Sequence, residues 1–234
     1  MPHHILTGAA LTLAFAVLAR VLRGVTTAGA VAGAVFCFVL YIGAGPGAIV
    51  VLMLVFAFTW AATRLGYRRK QKLGTAERAG GRKASQICAN LGVAGICAAL
   101  HAAKPGDPAL LVAMAAALSE AASDTVSSEL GQASGDMPRL ITTWERVPVG
   151  ANGGVSIAGT VAGAIAALVL SVFCAALGIV RWKLSGIVAG AGVLGMLADS
   201  FLGATLERPG WLNNDAVNLL GTLIAALLAF FLAF

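Results

Sequence analysis

Long apolar runs follow one another along almost the whole chain, and short polar turns separate them. A helix needs about 20 mostly apolar residues to cross a hydrocarbon core of ~30 Å. By that measure the pattern predicts eight spans, at 5–19, 25–42, 47–65, 84–101, 108–130, 153–178, 184–206 and 215–234. The first run is short, and Gly and Pro break the stretch 20–46, so six or seven crossings is the alternative count. The expected fold is all-α, a polytopic membrane helical bundle forming a single transmembrane domain over 1–234. No long-period repeat and no low-complexity tail interrupts it.

Composition rules out a soluble domain. Of 234 residues, 59% are hydrophobic and 11% charged, where a soluble domain carries about 25% charge. The chain starts Met1-Pro2-His3-His4, without a basic stretch, and more spans follow directly, so a cleaved signal is not expected. Glycine is abundant, at 29 residues, and small residues let membrane helices approach closely. Gly29/Gly33, Gly159/Gly163 and Gly186/Gly190 have the small-xxx-small spacing and are expected to pack helices within the bundle. Cys37, Cys88, Cys97 and Cys174 lie in apolar runs without a C-x-x-C pair. They are expected to be small buried hydrophobes, neither disulfides nor metal ligands.

The net charge of +6 does not mark a nucleic-acid binder, because the basic residues sit beside the spans, where they set topology. Arg64, Arg68, Arg69, Lys70, Lys72, Arg78, Arg82 and Lys83 crowd the turn between spans three and four. Positive residues stay cytoplasmic, which puts 66–83 inside. Counting outward, Arg20, Arg23, Arg139, Arg146 and Arg208 are inside too, and only Lys104, Arg181 and Lys183 are outside. The expected location is a bacterial-type inner (cytoplasmic) membrane with both termini outside.

Against this apolar background the intramembrane acids stand out, since each costs ~2.5–3.5 kcal/mol on insertion scales. Span five carries Glu120, Asp124 and Glu129, and span seven carries Asp199. Asp124 and Asp199 each fall roughly 10 Å below the cytoplasmic end of their helix. Two carboxylates at one depth are suited to share a divalent cation; a buried polar network that fixes helix packing is the alternative. Glu120, Asp124 and Ser128 share one helix face, whereas Glu129 lies about 140° round from Asp124 and suits another contact at the membrane surface.

Further polar residues fall at the same level. Span four opens with Arg82, Lys83, Ser85 and Gln86, and Asn90 follows near one face. Asn152-Gly153-Gly154 precedes a helix start and offers free backbone N–H groups to an anion, or is an ordinary Gly-rich turn. Asn214 and Asn218, one helical turn apart, suit a ligand or a neighbouring helix, or serve as caps. Acids for a cation and cations for phosphates, on one side of a bilayer, are the parts that phosphoryl transfer needs. No P-loop exists. Gly190-Ala191-Gly192-Val193-Leu194-Gly195 matches a dinucleotide fingerprint by string only, since it lies inside an apolar span with no preceding strand. His3, His4 and His101 have no metal-ligand spacing.

The ordered set is Ser85-Gln86 with Asn90, then Ser123-Asp124-Thr125-x-x-Ser128-Glu129-Leu130-Gly131 and Pro138-Arg139-x-Ile141-Thr142-Thr143. Asn152-Gly153-Gly154-Val155-Ser156, Asp199-Ser200-x-Leu202-Gly203-Ala204-Thr205-Leu206 and Asn214 with Asn218 complete it. From about Thr26 to the C-terminus the chain resembles the integral-membrane family that includes plant chloroplast phytyl-phosphate kinase and animal transmembrane protein nineteen. Two positions depart from the family pattern. Val126 stands where Trp often follows Asp-Thr, and Ala151 where Thr often precedes Asn-Gly-Gly.

The resemblance implies phosphorylation of an isoprenyl monophosphate to the diphosphate, with a nucleoside triphosphate, CTP first among them, as donor and Mg²⁺ as cofactor. On this reading Asp124 and Asp199 hold the metal, with Glu120 and Glu129 as further acids, and Arg82, Lys83 and Arg139 hold phosphates. Ser85, Asn90, Asn152, Gly153, Gly154, Asn214 and Asn218 bind substrate or nucleotide. The expected partners are the lipid monophosphate, the nucleotide and membrane lipids, with no nucleic acid. A CTP-dependent lipid cytidylyltransferase and a transporter or lipid flippase are the rival readings. The clustering of charge towards one side speaks against the transporter.

Overall fold

The computed structural model describes residues 2–77 and 80–233; Arg78, counted above among the basic turn residues, lies outside the described residues. Among these, eight helices are long and apolar enough to cross a membrane. They are α1 (Pro2–Val21), α2 (Thr27–Ala44), α3 (Pro46–Arg64), α5 (Ala84–Ala103), α6 (Pro108–Ser134), α7 (Ile157–Ala176), α8 (Ser185–Leu202) and α9 (Asn214–Leu232). The eight-span count holds over the alternative of six or seven. The break at Gly45-Pro46 is a boundary between two full spans: Gly45 adopts φ 76, and Pro46 opens α3, where a missing N–H costs nothing.

Three features were not in the apolar pattern. A short helix, α4 (Tyr67–Leu73), occupies the basic turn. A two-residue antiparallel hairpin pairs β1 (Arg139–Leu140) with β2 (Gly154–Val155), a small departure from an all-α chain. A π turn, Gly203–Glu207, extends α8. The expected span 153–178 begins later than its hydropathy suggested, because Gly154–Val155 is committed to the hairpin. Ser156 then caps α7, its hydroxyl accepting from Gly159 N at 3.1 Å. Thr26, Asp107 and Asn213 cap α2, α6 and α9 in the same way.

The bundle is built round α6, which is buried along nearly its whole length because most of its residues are Ala, Ser or Gly. Small residues on the surrounding helices let them close on it. A Cβ on Gly159 of α7 would stand 2.5 Å from Ser127 O, and one on Gly163 2.8 Å from Ser123 O. Gly195 of α8 and Gly221 of α9 leave room for the side chain of Glu120. Gly29 packs against the Arg82 carbonyl. The expectation of tight packing fails at Gly33, Gly186 and Gly190, where a Cβ would meet nothing within 4 Å. Cys37, Cys97 and Cys174 are buried and all four cysteines are free, but Cys88 is exposed, its side of α5 being turned outward.

Candidate active site

Three carboxylates from two helices converge in the bundle: Glu120 and Asp124 on α6, and Asp199 on α8. Each acts electrostatically on its neighbours, and Glu207 of the π turn reaches both Asp124 and Asp199. Glu120 Oε1 and Asp199 Oδ2 both approach the bare Cα of Gly221; a Cβ there would be 2.5 Å from the first and 3.3 Å from the second. Glu120 is buried, and among the described residues its Oε1 has no hydrogen-bond partner. An unpaired buried carboxyl oxygen is costly, so these helices hold together at the expense of local stability.

Two asparagines and one arginine complete the group. The Asn218 amide satisfies its neighbours in one orientation. Its Nδ2 donates to Asp199 Oδ2 at 3.2 Å and to Asn214 O at 3.3 Å, and its Oδ1 accepts from Asn90 Nδ2 at 3.3 Å. Asn90 and Asn218 thus reach across from α5 and α9 to orient Asp199. Arg82 enters from the opposite side. Its backbone is fixed by a parallel bridge to Val25, with Arg82 N donating to Gly24 O at 3.0 Å and Thr26 N to Arg82 O at 2.9 Å. Its Nη2 donates to Thr125 Oγ1 at 3.1 Å, next to Asp124, whose carboxylate it faces electrostatically.

Beside this polar group lies a chamber of about 560 Å³ walled by α1, α2, α3, α5 and α6. Its walls are mostly apolar, with Phe15, Leu52, Val55, Phe56 and Leu91 among them; its charged lining residues are Arg23, Arg64, Arg82 and Glu77, and Arg64 and Arg82 are drawn together at one end by the Leu22 and Gly24 carbonyls. Asn90 and Ala121, the latter adjacent to Glu120, belong to the wall it shares with the carboxylates. Arg64 stacks over Trp60 at 4.0 Å and donates to Leu22 O at 2.8 Å. Arg23 adopts φ 54, a conformation most side chains avoid.

The structure distributes the other expected site residues differently. Glu129 turns away from the carboxylates, as its angle predicted, and pairs with Lys70 of α4 at 2.5 Å. Lys70 is itself fully buried and donates also to Ala62 O at 3.0 Å and Thr63 O at 2.8 Å. Lys70 is therefore no simple topological charge, and Glu129 is committed to it. Lys83 and Ser85 are exposed on the first turn of α5. Arg139 is exposed on the hairpin and donates to Trp144 O at 2.8 Å, a tie local to that loop. Asn152 and Asn214 are exposed, and the capping role falls to Asn213. Gly153, with φ 77, lies against Ala204 so closely that no Cβ fits, and its carbonyl accepts from Ile141 N at 3.0 Å. The Asn-Gly-Gly turn thus clamps the π turn that carries Glu207. Gly154 is a strand residue, and neither glycine stands at a helix start.

Among the described residues no group of three His, Cys, Asp or Glu side chains is arranged to hold a metal ion. Mg²⁺ commonly takes one or two protein carboxylates and completes its shell with phosphate oxygens and water. The all-oxygen pair Asp124 and Asp199, with the unpaired Glu120 oxygen behind it, fits that use.

Sequence reasoning missed Glu207, Lys70 and the chamber arginines Arg23 and Arg64. A glutamate one turn beyond Gly203-Ala204 was a visible signal for the first. Nothing in the sequence distinguished Lys70 from the basic residues beside it.

Fold and site together define an integral-membrane helical bundle with a carboxylate-centred polar site buried among its helices. The chain belongs to the family described as Integral membrane protein DUF92, which matches residues 10–226. It is 34% identical to Uncharacterized membrane protein MJ0933 of Methanocaldococcus jannaschii, over 86% of this chain and 82% of the relative. It is 36% identical to Uncharacterized membrane protein sll0875 of Synechocystis, over 78% and 72%. It is 31% identical to Protein VTE6, chloroplastic, of Arabidopsis thaliana, over 80% of this chain and 60% of the plant protein. No solved structure matches.

Proposed function

We propose that this chain is a membrane isoprenyl-phosphate kinase, which moves a phosphoryl group from a nucleoside triphosphate to an isoprenyl monophosphate such as phytyl phosphate. The observation that carries the reading is the apolar chamber with a basic end, set against buried carboxylates. Such a shape suits a lipid with one charged head. The resemblance to the family that includes plant chloroplast phytyl-phosphate kinase supports the same substrate class.

The tail lies in the chamber and the phosphate at its basic end, where Arg82 offers a planar fork to the phosphate oxygens. An oxygen of the lipid monophosphate attacks the γ-phosphorus of the nucleotide. The new P–O bond forms as the bond to the bridging oxygen breaks, and the nucleoside diphosphate leaves. The second ionisation of a phosphate monoester falls near pH 6, so the attacking oxygen needs no strong base. Asp124 and Asp199 would hold Mg²⁺, which when bound would supply charge neutralisation at the transferring group. Asn218 and Asn90 keep the Asp199 carboxylate aimed. The exposed Lys83 faces the nucleotide from the basic side, taken as the cytoplasmic side, and the lipid enters from that leaflet, while Arg139 stays tied to its own hairpin. CTP is the donor to test first.

The test is incubation of the purified protein with labelled CTP, other nucleoside triphosphates, Mg²⁺ and a panel of isoprenyl monophosphates. An isoprenyl diphosphate with release of nucleoside diphosphate supports the proposal. A CDP-linked lipid assigns nucleotidyl transfer instead, and no product with any donor removes the kinase.

A further inference from the structure

We infer that Gly33 of α2 sets the longest lipid tail the chamber accepts, an inference that rests on the isoprenyl-phosphate reading above. Two glycines of α2, Gly29 and Gly33, line the chamber. Packing forces the first, since a Cβ on Gly29 would stand 2.5 Å from the carbonyl oxygen of Arg82. Nothing forces the second. Gly33 has no positive φ, and a Cβ there would meet no atom within 4 Å. A glycine inside a helix costs about 1 kcal/mol relative to alanine, and here neither fold geometry nor neighbour contact accounts for it. What the missing side chain leaves is space in the chamber.

That space is at the closed end. Arg64 at the basic end and Leu52 are twelve helical steps apart on α3, about 18 Å along the helix axis, and both line the chamber. Gly33 is the last chamber residue on α2. The next residue on the same face, Cys37, is buried and accepts a hydrogen bond from Thr12 of α1 at 3.6 Å, so the α1–α2 seam is shut one turn further on. Phe15 of α1, edge-on to Phe56 of α3 at 5.6 Å, closes the side. A side chain at position 33 therefore subtracts from the depth available to the end of a tail and leaves the arginines at the other end untouched.

The experiment measures kcat/KM of the full chain in detergent or nanodiscs with geranyl, farnesyl, geranylgeranyl and phytyl monophosphates. Binding is read in parallel, without donor nucleotide, from the fluorescence of Trp60, which lines the chamber. Gly33→Ala, Gly33→Leu and Gly33→Phe form a graded series, so that misfolding of the bulkiest variant leaves two others. Filling or emptying one methylene-sized space changes discrimination about tenfold or more. The short-to-long ratio of kcat/KM, and of affinity, is expected to rise at least about tenfold from wild type to Gly33→Leu. Gly190→Leu, which adds the same side chain at an exposed position, is expected to leave the ratio unchanged. Equal losses at every length in the Gly33 series overturn the inference while a working wild type preserves the kinase reading. A wild type that binds none of the panel overturns both.

Discussion

The buried ion pair of α4 yields the sharpest test of what the fold adds to the charge pattern. By sequence Lys70 is one of several cations in a basic turn, and Lys70→Gln should change little. In the structure its ammonium is fully buried, 2.5 Å from Glu129 Oε2, and donates to two carbonyls at the end of α3. Gln lacks the charge and the reach to replace three contacts. Removing one partner of a buried pair costs about 3–5 kcal/mol, and the low end applies because the Glu129 side chain is 10% exposed and can recruit water. At 2–4 °C per kcal/mol for a chain of this size, Lys70→Gln should lower Tm in detergent by roughly 6–12 °C. Glu129→Gln should do nearly as much, and Lys70→Met/Glu129→Met should lose less than the sum of its singles, with a coupling of about 1–3 kcal/mol. The exposed neighbour Lys72→Gln should stay within ~0.5 kcal/mol. Because α4 leads into the segment that carries Arg82, the Lys70 variant should also raise KM for the lipid phosphate. Circular dichroism melting and steady-state kinetics read both effects. A Lys70→Gln protein with the wild-type Tm would return Lys70 to the role of a topological charge.

Asp124→Asn and Asp199→Asn should each lower kcat by about 100-fold or more, the loss of several kcal/mol of metal-assisted stabilisation, while circular dichroism shows an intact bundle; near-normal turnover in either takes that residue out of the site. Arg82→Lys keeps the charge and loses the fork, so its kcat/KM should fall at least about tenfold, against less than about threefold for Arg139→Lys, whose donor is spent on its own hairpin; the reverse order would move the phosphate contact to the hairpin. Gly153→Ala must displace Ala204 and strain a left-handed backbone, so chemical denaturation should show about 2 kcal/mol or more of lost stability; an unchanged midpoint would mean that the hairpin and the π turn are not clamped together. Asn218→Leu leaves Asp199 and Asn90 without their shared partner, an expected cost of about 1–3 kcal/mol; wild-type stability in the same denaturation assay would refute the amide orientation that links them.

The carboxylates and amides at the centre were legible because a bilayer makes polar residues expensive. In an apolar span, Asp124, Asp199 and Glu120 cannot be ordinary surface residues, so their positions in the sequence already marked a site. The same logic fails in the turns. There polar residues are cheap, and Lys83, Ser85, Arg139, Asn152 and Asn214 look alike whether they bind a ligand or face solvent. Gly153 stands out in the sequence as part of a turn with free N–H groups, but its left-handed backbone and its close approach to Ala204, some fifty residues away, belong to the tertiary structure.

The apolar pattern by itself determined an eight-helix membrane bundle, since hydrocarbon thickness fixes how long an apolar run must be to cross. It also determined the depth at which acids enter, because helical rise is constant. Tertiary structure alone decided which helices are neighbours. That choice brings Asn90 of α5 and Asn218 of α9 to Asp199 of α8, sets Lys70 against Glu129, and opens a chamber between α1, α2, α3, α5 and α6. Period and hydropathy describe one helix at a time, and lipid tails are as apolar as the helix faces they touch. Hydropathy therefore cannot say which face meets lipid and which meets protein. Gly33 and Gly29 read identically in the sequence, and only the atoms around them separate a packing contact from an open space.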